Sequence, residues 1–139
     1  MIAHDLSHQW FGNCLTCLTW KDIWLSEGFA TYSEALYMEQ WQGFDAMVDY
    51  IETSIHNYYK NWAGSSAYTV YDPASPNYYF TPATYEKPAS VLHMLRRIVG
   101  DDDFFEILQT YFQTFHNGNV VTADFMQICA EITENDYLS

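Results

Sequence analysis

The sequence predicts an all-α domain of about six helices, interrupted by one long loop at 63–84. Three observations predict it. Apolar residues recur at three- and four-residue intervals along most of the chain, the spacing of one helix face. Glycines and short polar capping residues fall where those periodic stretches stop. No pair of segments reads as a convincing pair of strands.

The elements follow in order. Met1 to Phe11 can continue one helix, and Gly12-Asn13 supplies a break of the kind that ends helices. From Asp22, an acceptable cap, DIWLSEGFATYSEALYMEQWQG places Ile23, Leu25, Phe29, Tyr32, Leu36 and Tyr37 near helical spacing until Gly43. FDAMVDYIETSIHNYYKNW keeps Phe44, Met47, Val48, Ile51, Ile55 and Tyr58 on the same intervals, a third helix after a tight turn. Residues 63–84 are rich in Gly, Ser, Pro, Asn and Tyr without a period. They read as a long ordered loop, expected to line a cleft because unstructured connections of that length are usually functional. Glu86 to Val99 is a fourth helix with Pro88 tolerated in its first turn and Gly100 at its end. Asp101 to Asp103 offer N-caps for FFEILQTYFQTFH, and after the NGN break Thr122 caps ADFMQICAEIT.

Of the 139 residues about half are apolar and a fifth aromatic, enough for one buried core, so residues 1–139 read as a single helical domain. Eighteen acidic against five basic residues, a formal charge of −13, exclude nucleic acid and anionic lipid as partners, since both select clustered Lys and Arg. No run approaches the roughly 18 apolar residues of a membrane span, and no signal peptide is visible. The chain starts inside a motif, so it is expected to be a piece of a longer protein, with localisation left open. Cys14 and Cys17 form a C-x-x-C, but only Cys129 remains to complete a zinc ribbon. They are read as small half-buried residues of a loop.

The chemistry lies near the start. His4 and His8, four residues apart on a helix, are about 40° apart around its axis and about 6 Å along it, so both imidazoles project toward one point. A catalytic zinc needs a third protein ligand and an open position for water. Glu27 lies inside the second helix, with residues 9–26 as the intervening return. His4, His8 and Glu27 are therefore the candidate metal ligands, with zinc as the cofactor. Glu34, two helical turns after Glu27, suits either a carboxylate behind a ligating histidine or a solvated surface position. Trp10, Phe11, Trp20 and Trp24 suit the walls of such a site or the core. His56, His93 and His116 lack partners at ligand spacing.

HDLSHQWFGN followed by WLSEGFATYSE resembles the gluzincin zinc aminopeptidases of the membrane alanyl and puromycin-sensitive type, whose motif is H-E-x-x-H, eighteen residues, then E. TYEKPASVLHMLRRIVGDDDF is similar to the family's Y-E-K-G-A-x-V-L-x-M-L-R segment, so the resemblance covers nearly the whole chain. It implies the helical subdomain of a thermolysin-like catalytic domain, a peptide substrate, and a parent peptidase whose strand-rich part lies upstream. It also implies that Tyr85 is the tyrosine whose hydroxyl stabilises the oxyanion.

Two departures bear on activity. Asp5 stands where the family has the glutamate that acts as general base; it keeps the charge but is about 1.5 Å shorter in reach. A misplacement of about 1 Å can cost on the order of 100-fold, so hydrolysis is expected to be attenuated while metal binding survives. The family's G-x-M-E-N phrase, which recognises the substrate amino group, is absent from this chain. Pro88 replaces the family's usual Gly after Tyr85-Glu86-Lys87. The competing readings are a zinc-stabilised peptide-binding or scaffolding module without catalysis, favoured by Asp5, and a helical interaction domain with no metal.

Overall fold

The computed structural model describes residues 2–133. Six helical units form it: α1 (Ile2–Ser7), α2 (Trp24–Gln42), α3, α4 (Glu86–Val99), α5 (Asp101–Phe115) and α6 (Thr122–Thr133). Unit α3 runs without a break through Phe44–Tyr50, a π-helical stretch Ile51–His56, and Asn57–Ala63. Among the described residues no helix is long and apolar enough to cross a membrane.

Four expectations are corrected. The first helix ends at Ser7 rather than Phe11, because the next bonds tighten: Gln9 N–H donates to the Leu6 carbonyl and Trp10 N–H to that of Ser7. Met1 lies outside the described residues. Asp22 does not cap α2; it closes a 3₁₀ turn, Trp20–Asp22, before α2 begins at Trp24. Strands do occur: β1 (Leu15–Cys17) pairs in parallel with β2 (Gly118–Val120), Leu15 opposite Gly118. At three residues each, they are too short to carry the alternation that marks a strand in sequence. Asp101, too, lies within α5 and not before it, with Gly100 at the cap.

The core is built around α2, in which Trp24 to Tyr32 are all buried, as are Asp22 and Ile23 just before it. Phe29 is its centre: its ring meets Phe11 at 4.7 Å, Trp24 at 5.9 Å, Tyr111 at 5.8 Å and Phe125 at 5.1 Å. Full burial of such a side chain contributes about 1.5–3 kcal/mol. Helix α4 crosses α2 where Gly28 meets Pro88: a Cβ on Gly28 would stand 2.7 Å from the proline ring. The far end of the same interface holds Arg96, 4% exposed, whose guanidinium donates to both carboxylate oxygens of Glu39 and to both of Asp101. Bidentate pairing of this kind is what makes a buried charge tolerable.

Two contacts tie the C-terminal part to the segment after α1. One is the β1–β2 pair. The other is Asp22, whose Oδ1 accepts from the Thr122 N–H at 2.8 Å and the Thr122 hydroxyl at 2.7 Å. Trp24 Nε1 also donates to that hydroxyl. The long loop is ordered by its aromatics, with Tyr68 against Trp62 and Tyr78, and by Lys21, which donates to Asp72. It delivers the chain to Tyr85 at the head of α4.

Candidate metal centre

Helix α1 places His4 and His8 one turn apart, and the turn after it is satisfied by its own backbone. Asn13, Cys14 and Leu15 N–H groups donate to the carbonyls of His8, Gln9 and Trp10, so the carbonyls of that turn are not left without donors. The chain then returns through β1, and α2 packs against α1 with Glu27 in its first turn.

Three atoms meet. His4 Nε2 and His8 Nε2 are 3.1 Å apart, and Glu27 Oε2 lies 3.4 Å from the first and 3.3 Å from the second. Glu27 is 9% exposed, and its Oε2 has no hydrogen-bond donor among the described residues; the rings approach it without the alignment of a hydrogen bond. His8 Nδ1 lies 2.9 Å from the Phe11 carbonyl. A carbonyl only accepts, so Nδ1 carries a proton and donates it here, and the ring's lone pair is the one at Nε2. Electron-pair donors thus converge on one point around a buried carboxylate. A proton on one imidazole would satisfy a single edge of this triangle, whereas a cation bound by all three satisfies every edge. A tetrahedral zinc with ligands at about 2.0–2.1 Å has ligand–ligand edges of about 3.3–3.4 Å, so the residues present fit such an ion. Among the described residues these three are the only group of ligand-type side chains gathered this closely.

Tyr85 is half-buried, its ring stacked on that of His4 at 5.8 Å between centroids and 12° between planes. Burial, and then the Glu27 charge beside it, push its hydroxyl above the ordinary tyrosine value; it is a proton-bearing donor at neutral pH. Asp5 is exposed and follows His4 by one residue, about 100° around α1.

Other residues complete the surroundings. Glu86, next to Tyr85, has a buried Oε2 with no donor among the described residues. Burial raises its carboxyl above the ordinary glutamate value, the Glu34 charge adds to that, and His4 opposes it. Glu34 is buried rather than solvated and accepts a 2.6 Å hydrogen bond from Tyr50, which lies just before the π-helical stretch. Burial first, and then Glu34, raise the Tyr50 hydroxyl. No spacing rule links Tyr50 on α3 to Glu34 on α2; only the packed fold brings them together. Of the candidate wall residues, Phe11 and Trp24 pack on Phe29, Trp20 stacks on Tyr79 of the long loop, and Trp10 is exposed. His93 takes its hydrogen-bond partner from Tyr32, and His116 is exposed.

The outer face of α1 is not covered. Ile2, Leu6 and Trp10 line, with Tyr37, Met38 and Trp41 of α2, an apolar groove of about 550 Å³.

Comparison with known proteins gives a uniform result. The Peptidase family M1 domain matches residues 1–139. The chain is 37% identical to rat aminopeptidase N over 141 residues, which cover 91% of this chain and 14% of that protein. A mutant of the M1 zinc metallopeptidase from Deinococcus radiodurans, bound to a Tyr-ser-ala substrate, superposes with a TM-score of 0.83 at 31% identity, covering 99% of this chain and 30% of that one. Leukotriene A4 hydrolase from Saccharomyces cerevisiae superposes at 0.86 with 25% identity, over 99% of this chain and 23% of that one. The chain therefore spans less than a third of each of these relatives.

Proposed function

This chain belongs to peptidase family M1, and from that premise we propose that it is the metal-binding helical part of a zinc-dependent aminopeptidase, with His4, His8 and Glu27 holding one zinc ion. The observation that carries the proposal is the triangle of Nε2, Nε2 and Oε2 atoms at 3.1–3.4 Å, in which the carboxylate oxygen has no hydrogen-bond donor among the described residues. The aminopeptidase class is taken from rat aminopeptidase N, and a peptide substrate from the Tyr-ser-ala complex of the Deinococcus enzyme.

When bound at such a site, zinc polarises a scissile carbonyl and activates water. The chain's own residues supply the rest. Tyr85, protonated and fixed against His4, donates to the carbonyl oxygen as it gains negative charge. Asp5, one residue past His4, accepts the proton of the attacking water as general base. Its short side chain makes that transfer slow. The apolar groove along α1 and α2 is where the rest of the parent peptidase packs, since contiguous exposed apolar surface of this kind marks an interface. A second reading, a zinc-stabilised peptide-binding module without catalysis, is favoured by Asp5 alone.

Asp5→Glu in the full-length protein separates the two readings. A general base contributes about 100- to 10,000-fold, so restoring its reach should raise peptide turnover by about tenfold or more with zinc content unchanged. Unchanged turnover, with zinc still bound, would leave only the binding module.

A further inference from the structure

We infer that Gly12 is a positioning residue for the metal centre, holding His8 in the one tautomer and ring orientation that turn its Nε2 toward His4 and Glu27. The inference rests on His8 being a ligand, as proposed above, and concerns how the chain prepares it.

Three observations meet at this residue. Gly12 has φ +134°, a region that L side chains rarely adopt. Its N–H donates to the Leu15 carbonyl at 2.7 Å, which fixes the Phe11–Gly12 peptide. The Phe11 carbonyl of that peptide accepts from His8 Nδ1 at 2.9 Å. The glycine is also pressed against the ring it orients: a Cβ there would stand 3.0 Å from His8 Nδ1 and 3.4 Å from the His8 carbonyl oxygen. A methyl group at this point must displace the imidazole or the peptide, and either movement weakens the bond that keeps the proton on Nδ1. Partners behind a ligating histidine set its tautomer and orientation, and their loss costs about 10- to 100-fold in metal affinity.

The chain contains its own control. Gly43 also has positive φ, +95°, but a Cβ there meets nothing within 4 Å. Gly43→Ala imposes backbone strain of the same kind without touching a histidine.

The test compares the parent chain, Gly12→Ala and Gly43→Ala by two measurements. Nitrogen-15 NMR of the metal-free imidazoles, at a pH where they are neutral, reports which nitrogen of His8 bears the proton. Competition with a chelator reports zinc affinity. The expected result is an Nδ1-protonated His8 and equal zinc affinity in the parent and Gly43→Ala. Gly12→Ala should lose that signature and bind zinc about 10- to 100-fold more weakly. Equal signatures and equal affinities in the two variants would overturn the inference. So would an Nε2-protonated His8 in the parent chain, a result that stands even if Gly12→Ala does not fold. Failure of the parent chain to bind zinc would defeat the ligand assignment instead, while the His8 signature still decides the role of Gly12.

Discussion

The candidate metal centre joins two regions held by opposite means. Glu27 sits in the most buried part of the chain, with Gly28 against Pro88 on one side and Phe29 in a nest of four aromatic rings on the other. His4 lies within, and His8 just after, a helix of six residues, far below the length at which a helix is stable by itself. Its outer residues Ile2 and Leu6 are 84% and 57% exposed. The carboxylate is therefore positioned by the core. The histidines are positioned by local bonds: the Ser7 hydroxyl to the His4 carbonyl and His8 Nδ1 to the Phe11 carbonyl. One half of the site is rigid through packing, and the other depends on a few hydrogen bonds and on what covers its outer face.

The sharpest way to break this contrast is to remove a side chain from each region. Phe29→Ala should cost about 3–5 kcal/mol, measured as a shift in the denaturant midpoint, whereas Leu6→Ala in the same chain should stay within about 0.5 kcal/mol. A large loss at Leu6 would mean that α1 is part of the core after all.

Next in size is the contact that links Glu27 to Tyr85 through the backbone. Gly28→Ala forces a methyl group into the Pro88 ring and should cost about 1–3 kcal/mol. In a double-mutant cycle with Pro88→Gly the coupling should be favourable, because the second change removes the obstacle. Simple additivity would show that the two helices yield without strain.

The smallest effect is one of pH. The Arg96 guanidinium hydrogen-bonds Asp101 and holds its carboxyl below the ordinary value of 3.8. The folded value is depressed, so this contribution to stability is complete above about pH 4 and is lost as pH falls through the lower folded value. Acid titration of unfolding should show a shallower loss below pH 4 in Asp101→Asn than in the parent chain. Equal slopes would show that the exposed carboxylate contributes nothing measurable.

What could be read in sequence follows the same division. Helix periodicity sufficed for α2, α3, α4, α5 and α6, because each buries a face and must repeat apolar residues to do so. The four-residue spacing of His4 and His8 implied that they share a face, and the length of the return implied that Glu27 could reach them. What escaped was long-range or local. The β1–β2 pair joins residues about 100 apart in three-residue strands, and Asp22 bonds Thr122 across a similar interval. Arg96 with Glu39 and Asp101, and Tyr50 with Glu34, pair across helices whose relative placement no periodicity reports. The early end of α1 at Ser7 arises from tightening bonds that leave no residue signature, and Gly12 looked only like a helix stop.

The central claim is that His4, His8 and Glu27 hold one zinc ion, and elemental analysis after exhaustive dialysis tests it most directly. The parent chain should retain one zinc per molecule and His8→Ala none, because two of the three ligands do not make a site. Stoichiometric zinc retained by His8→Ala would contradict the assignment.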